Sequence, residues 1–330
     1  MSDEGDHAVR VLALSGGVGG AKLALGLYHA LAPWELGIVA NTGDDFDHYG
    51  LRICPDLDTI MYTLSGRADE VKGWGVRGES WFCMEALGEI GGETWFGLGD
   101  RDLAVHLLRT EELRRGRPLS QVTQELCAAF GVKAHVHPMS DAPVATIIST
   151  KDGRDLPFQH YFVKERCAPE LQGVRYQGAA EASPHAALVR LVSSPGLRAI
   201  ILCPSNPFVS INPILSLPGV RAALKTRAAP VIAVSPLVGG KAVKGPLDKM
   251  LGEIGLPATN LSIAGQYADF LDGMIVDTGD AGDMAALPVP CRATSTLMHN
   301  LEDKRRLAEA CLDFADELLG GEKSNRALSN

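Results

Sequence analysis

Apolar and polar residues fall in blocks along this chain. Val9–Leu14, Leu36–Asn41, Ala199–Cys203, Pro230–Ser235 and Gly273–Asp277 are short, nearly continuous apolar runs bounded by glycine, proline or polar residues, the pattern of strands buried on both faces. Between them lie stretches with helical spacing: Ala21–Leu31, Asp58–Ser65, Trp81–Ile90, Asp102–Arg114, Ser120–Phe130, Asn212–Thr226, Gly245–Ile254 and the amphipathic Leu301–Leu319. From Lys133 to Val163 the rhythm changes, and Ala134–His137, Ala145–Ser149 and Phe158–Val163 read as short strands. The alternation predicts an α/β fold, a doubly wound, mainly parallel Rossmann-like sheet with a helical and partly β insertion. Residues 1–60 and 195–330 are assigned to the nucleotide-binding core and 61–194 to the insertion. The polar stretch Glu322–Asn330 reads as a tail.

Composition narrows the class. The 330 residues are 46% hydrophobic and 22% charged, ordinary usage for a globular protein with a sizeable core. A net charge of −9 without any Lys/Arg block argues against nucleic acid as a partner. The polar, acidic start (Ser2, Asp3, Glu4, Asp6) is no signal peptide, and no apolar run reaches the roughly 20 residues of a membrane span. The seven cysteines are scattered without C-x-x-C spacing, the usage expected of small core residues in a reducing compartment. A cytoplasmic location with no membrane partner follows as the expectation.

Chemistry concentrates after the strands, where open parallel sheets bind ligands. Ser15-Gly16-Gly17-Val18-Gly19-Gly20-Ala21-Lys22 turns from the first strand into a helix. Such a turn offers backbone N–H groups and a helix N-terminus to an anion. It departs from Gly-x-Gly-x-x-Gly, with Lys22 at the third place, and from the P-loop, with Leu23 after the lysine. It reads as a phosphate loop, with a plain tight strand–helix turn as the alternative.

After the second strand come Asn41-Thr42-Gly43-Asp44-Asp45 and Cys54-Pro55-Asp56-Leu57-Asp58. The four carboxylates of these two motifs exceed the single acidic hook for a ribose. They suit magnesium held beside substrate phosphates, although Asp56 or Asp58 can also be read as the cap of the next helix. Phe96-Gly97-Leu98-Gly99-Asp100-Arg101-Asp102 opens a further helix; Asp102 can be only its cap and Asp100 with Arg101 only a surface pair, whereas Gly97 and Gly99 imply close backbone approach and Arg101 can fork onto a phosphate or carboxylate. Met139-Ser140-Asp141 offers a hydroxyl and a carboxylate, or a local Asx turn. Cys203-Pro204-Ser205-Asn206-Pro207 and the glycine–lysine stretch Ser235–Pro246, with Lys244, complete a set of loops suited to a nucleotide's phosphates and base. His135 and His137 share a strand face without a third ligand. Trp74, Trp81 and Trp95 serve a flat ring or the core.

Taken together, SGGVGGAK (15–22), NTGDD (41–45), CPDLDT (54–59), FGLGDRDLA (96–104), PMSD (138–141), CPSNPFVSINPIL (203–215) and SPLVGGKAVKGP (235–246) resemble the 2-phospho-L-lactate transferase family (CofD/FbiA type) of coenzyme F-420 biosynthesis. The resemblance runs from about residue 9 to residue 320. It implies transfer of a phospholactyl, phosphoenolpyruvyl or phosphoglyceryl group from a guanosine diphosphate conjugate to the ribityl hydroxyl of the deazaflavin FO, releasing GMP. The small-molecule partners are then FO and the guanosine diphosphate-linked acid, the cofactor is magnesium, and the protein is expected to be a homodimer. Asp44 and Asp45 would hold the metal; Asp58, Asp56 and Asp45 would act in catalysis. Gly16, Gly17, Gly19, Gly20, Lys22, Ser205, Asn206 and Lys244 would bind the donor. Asp100, Arg101, Ser140 and Asp141, in the insertion, would bind on the acceptor side. Gly43-Asp44-Asp45 departs from the Ala-Glu-Asp typical of archaeal members and leaves the donor acid open. Two other classes are kept: a YvcK-like nucleotide-sugar-binding regulator without turnover, and a nicotinamide oxidoreductase, which the missing third glycine and the four carboxylates disfavour.

Overall fold

A computed structural model describes residues 9–328; the acidic N-terminal residues and the last two of the polar tail lie outside them. Seven parallel strands form the central sheet: β1 (Val11–Ser15), β2 (Leu36–Ala40), β3 (His135–Pro138), β4 (Ala199–Leu202), β5 (Val231–Val234), β6 (Gly273–Val276) and β7 (Cys291–Ala293). Their spatial order is β7-β6-β5-β4-β1-β2-β3. Chain order therefore reverses between β1 and β4, which pair in parallel from Val11 against Ala199 to Leu14 against Leu202. That reversal is the switch point of a doubly wound sheet, and it sets the position of the ligand crevice.

Both faces of the sheet are covered, as the continuous apolar runs require. Because side chains alternate along a strand, Leu12 and Leu14 enter one core with Val39 and Leu202, while Val11 and Ala13 enter the other with Ile38 and Ala40. The second core is closed by α1 (Gly17–Ala30), α2 (Pro55–Leu64) and the final helix Leu301–Leu328, which runs through most of the expected polar tail. Next in chain order come α3 (Phe82–Glu89), α4 (Asp100–Arg114) and α5 (Leu119–Ala129). Among the described residues, no helix is long and apolar enough to cross a membrane.

Four expectations are corrected. Residues 135–138 were assigned to the insertion, but β3 pairs with β2 at the edge of the main sheet, so the stretch 61–194 contributes a core strand. Phe158–Val163 is no strand: His160–Lys164 winds into a helical turn that buries Tyr161, because packing outweighs the β propensity of a short apolar run. The antiparallel partners of Ala145–Thr150 are Asp155–Pro157 and the unpredicted Leu171–Gln177. The helix expected over Asn212–Thr226 breaks into Asn212–Leu215 and Val220–Lys225 at Gly219, whose φ is +79°. The glycine–lysine stretch 235–246 is also more ordered than a simple loop, since Leu237–Val238 and Lys241–Ala242 form a small hairpin.

Candidate active site

At the switch point the first glycine turn lies against the loop that follows β4. Gly17 adopts φ +65°, a conformation open to glycine without strain. Ser205 Oγ donates to the Gly16 carbonyl at 2.7 Å. A Cβ at Gly19 would collide with the Pro204 carbonyl oxygen, so close approach of two backbones demands glycine there. The loops border a cleft of about 600 Å³. Gly16, Gly17, Gly19, Lys22, Ser205, Asn206 and Lys244 all line it, as the sequence predicts for the donor side. Gly20 is turned inward, where a Cβ would crowd Ser15 Oγ at 2.5 Å. Asn206 Oδ1 accepts from Phe208 N, which caps its own loop.

Lys22 donates to the Met298 carbonyl at 3.0 Å. Burial, then the charges of Lys244 and Lys304, lower its pKa. These crowded ammonium groups favour an anion. The cleft also has apolar lining, with Trp74, Phe96, Phe158 and Phe162 in its wall. Of the three tryptophans considered, Trp74 lines the cleft, Trp81 meets it edge-on at 6.0 Å between ring centroids, and Trp95 packs against Phe46, His48, Phe96 and His160.

The four aspartates divide into different jobs. Cys54 is the N-cap of α2 and Pro55 its first residue, where proline's fixed φ suits a helix start. Asp56 and Asp58 therefore lie in the first turn rather than at the cap. Asp56 reaches across to α1: Gly17 N donates to Oδ1 at 2.7 Å and Asn41 Nδ2 to Oδ2 at 2.8 Å. Asn41 Oδ1 in turn accepts from Gly43 N at 2.8 Å. Asp56 thus fastens the first glycine turn to the loop after β2. Burial raises its pKa to about 6, opposed by the Asn41 and Gly17 hydrogen bonds.

Asp44 is buried, lines the cleft and has Oδ1 without a hydrogen-bond partner. Burial, followed by the charge of Asp56, raises its pKa well above the usual carboxylate range. An orphaned carboxylate oxygen facing an anion loop fits a divalent cation bound together with phosphate. Asp45 turns away from the cleft. It lies 3.8 Å from Arg52, and burial lifts its pKa to about 7 against the pull of that arginine. The expected pairing of Asp44 and Asp45 as metal ligands is therefore split, and only Asp44 is on the cleft wall.

Asp58 also lines the cleft, at the centre of a buried network. Arg109, on α4, forks onto both its oxygens, with Nη1 to Oδ2 at 3.0 Å and Nη2 to Oδ1. His106 Nδ1 lies 3.3 Å from Arg109 Nη1, and its Nε2 lies 3.3 Å from Asp102 Oδ1. Tyr62 Oη donates to the same Asp102 oxygen at 2.5 Å. These bonds and the neighbouring positive charges keep the Asp102 pKa below its usual value despite burial. Asp58, Asp102 and His106 have ligand atoms within 4.8 Å of one another, the spacing of a metal shell. The guanidinium already supplies the positive charge there, so Asp44 is the better place for a metal.

The acceptor-side expectations are corrected. Asp100 is a structural group that accepts from Ser80 Oγ and from the N–H groups of Phe82 and Cys83, capping α3. Arg101 is exposed and donates to the Arg77 carbonyl. Ser140 donates to the Ser183 carbonyl, and Asp141 accepts from Ser120 N and Oγ at the start of α5. None of the four lines the cleft, because each carboxyl or hydroxyl is drawn to nearby free backbone groups. Sequence reasoning missed Tyr62, His106 and Arg109, and took Asp102 only as a cap. The available signal was the i, i+4 spacing of Asp58 with Tyr62 and of Asp102 with His106 on two helices.

Fold and site together define a doubly wound α/β protein whose switch-point crevice is lined by glycine turns, lysines and aromatic side chains. A sequence profile described as 2-phospho-L-lactate transferase CofD matches residues 11–306, and the chain belongs to that family of transferases. A Kitasatospora aureofaciens protein named phosphoenolpyruvate transferase is 40% identical over 322 residues, covering 95% of this chain and all of that one. A Streptomyces griseus protein of the same name is 39% identical over 318 residues, covering 94% and 99%. Among solved structures, a Bacillus halodurans member of the UPF0052 family superposes with a TM-score of 0.60 at 15% identity, covering 92% of this chain and 99% of that one. This last likeness establishes the fold.

Proposed function

We propose that the protein transfers a phosphoenolpyruvyl group from its guanosine diphosphate conjugate to the ribityl hydroxyl of FO, releasing GMP, as a step of coenzyme F-420 biosynthesis. The observation that carries this reading is one cleft with both chemistries: glycine turns and lysines for a diphosphate, and an aromatic wall for a flat acceptor ring. Full-length similarity to proteins named phosphoenolpyruvate transferase favours that acid over the lactyl and glyceryl forms.

In this reading Gly16, Gly17, Gly19, Lys22, Ser205, Asn206 and Lys244 hold the nucleotide end. Asp44 would hold magnesium together with the donor phosphates. The bound ion would spread the charge that develops on the transferring group. The acceptor hydroxyl oxygen attacks the phosphorus that carries the acid, and the bridging P–O bond breaks. GMP leaves with the bonding electrons, while the hydroxyl proton passes to Asp58. A carboxylate forked by arginine still has free lone pairs to accept it, and phosphoryl transfer asks mainly for positioning. Asp56 acts by shaping the glycine turn.

The test is GMP release by purified protein with magnesium and the phosphoenolpyruvyl conjugate, with and without FO. The reading expects release only when FO is present. Ligand binding with no release under either condition would instead support a regulatory nucleotide-binding protein.

A further inference from the structure

Among the described residues Arg109 is the largest fully enclosed side chain, and it comes from α4, a different helix from the carboxylate it holds. A guanidinium can only donate hydrogen bonds. The His106 nitrogen facing it, Nδ1 at 3.3 Å, accepts from Arg109 in the tautomer that carries the ring proton on Nε2. Nε2 then lies 3.3 Å from Asp102 Oδ1, an ion-pair contact rather than an aligned hydrogen bond, and the same oxygen accepts from Tyr62 at 2.5 Å. Tyr62 donates to Asp102, His106 bridges Asp102 and Arg109, and Arg109 donates to Asp58. Fixing a ring tautomer through a second carboxylate and so orienting a reactive group is the logic of a triad.

We propose that Tyr62, Asp102 and His106 form a positioning relay that aims Arg109, and through it the Asp58 carboxylate, at the acceptor hydroxyl. The proposal rests on the transferase reading for the role of Asp58, but the mechanical link from Tyr62 to Arg109 does not. Tyr62→Phe deletes one hydroxyl and leaves the ring packing in place. His106→Gln keeps a donor and an acceptor but loses the rigid ring that spans Asp102 and Arg109.

The experiment combines steady-state kinetics with the solvent-exchange rates of the Arg109 side-chain N–H protons, read by NMR in the substrate-free protein. Small misplacements of a reacting group cost up to about a hundred-fold in rate. Both variants are expected to lower kcat by roughly ten-fold or more with KM for either substrate within about two-fold, and to quicken Arg109 exchange to a similar degree. Cooperative melting near that of the wild type shows that the fold is kept, and either variant that melts so suffices. Unchanged Arg109 exchange in a folded variant overturns the relay, whatever happens to kcat. Equal loss through KM overturns it too, since a binding contact would then explain the effect. Absence of wild-type turnover would sink the transferase reading, and the exchange rates would still decide the link from Tyr62 to Arg109.

Discussion

Arg109 and Asp58, 51 residues apart in sequence, meet as a buried two-pronged ion pair in which Asp58 lines the cleft. Removing one member of such a pair strands a buried charge, at a cost of about 3–5 kcal/mol. Arg109→Ala is therefore expected to lower stability by about that amount, read from urea unfolding. Replacing both residues with apolar groups of similar volume should recover much of it while leaving the enzyme inactive. A single variant of wild-type stability would show that the pair is solvated in solution.

Gly19 faces the Pro204 carbonyl with no room for a Cβ. Gly19→Ala has to push the start of α1 away from the loop after β4, a strain of about 1–3 kcal/mol, and should weaken nucleotide binding as well. Gly252→Ala is the control. Gly252 is exposed in the helix Leu247–Glu253 with open space around it, where alanine should add about 0.5–1 kcal/mol. Thermal melts with and without the guanosine diphosphate conjugate separate the two effects.

Asp44 predicts a conflict between stability and function. Its raised pKa means that the folded state holds the proton more tightly than the unfolded chain. The stability this gives is full at low pH and is lost as the pH rises through the folded value. In chelator, Asp44→Asn should therefore melt higher than wild type at pH 8, with the gap closing toward pH 4. The same variant should lose magnesium-dependent turnover. Parallel melting curves across that range would contradict the assignment of a strained, ion-seeking carboxylate.

His137 carries the opposite sign. Burial, then the neighbouring His185 and His135, lower its pKa to about 4, and it stacks on His185 at 4.6 Å between ring centroids. Between the usual imidazole pKa and 4 the unfolded chain binds the proton more readily, so stability falls as the pH drops through that window. His137→Asn should flatten the fall in melting temperature between pH 6.5 and 4. Activity at pH 7.5 should be unaffected, because His137 does not line the cleft.

What was legible in the sequence was local. Gly16, Gly17, Gly19, Lys22, Asp44, Ser205 and Lys244 follow strands, and strand ends face the crevice in this fold class, so their place on the cleft wall could be read without coordinates. Ser140 and Asp141 follow the same rule and mislead, as does Asp100 at the start of α4, because nearby N–H groups compete for their oxygens. Arg109 was invisible for a different reason. It lies about three turns into a helix of low amphipathicity, and only the tertiary placement of α4, packed on Leu51–Ile53 and α5, brings it to Asp58. The strand His135–Pro138 was found but placed in the wrong layer, since pairing with Gly37–Ala40 is a long-range choice that a single strand's pattern does not encode.

The central claim is that one cleft joins donor and acceptor. Its most direct measurement is the product mass after incubating the protein with magnesium, FO and the phosphoenolpyruvyl, phospholactyl and phosphoglyceryl conjugates in separate reactions. The account predicts an FO conjugate heavier by the phosphoenolpyruvyl group, formed in step with GMP. Unmodified FO with every donor would contradict it.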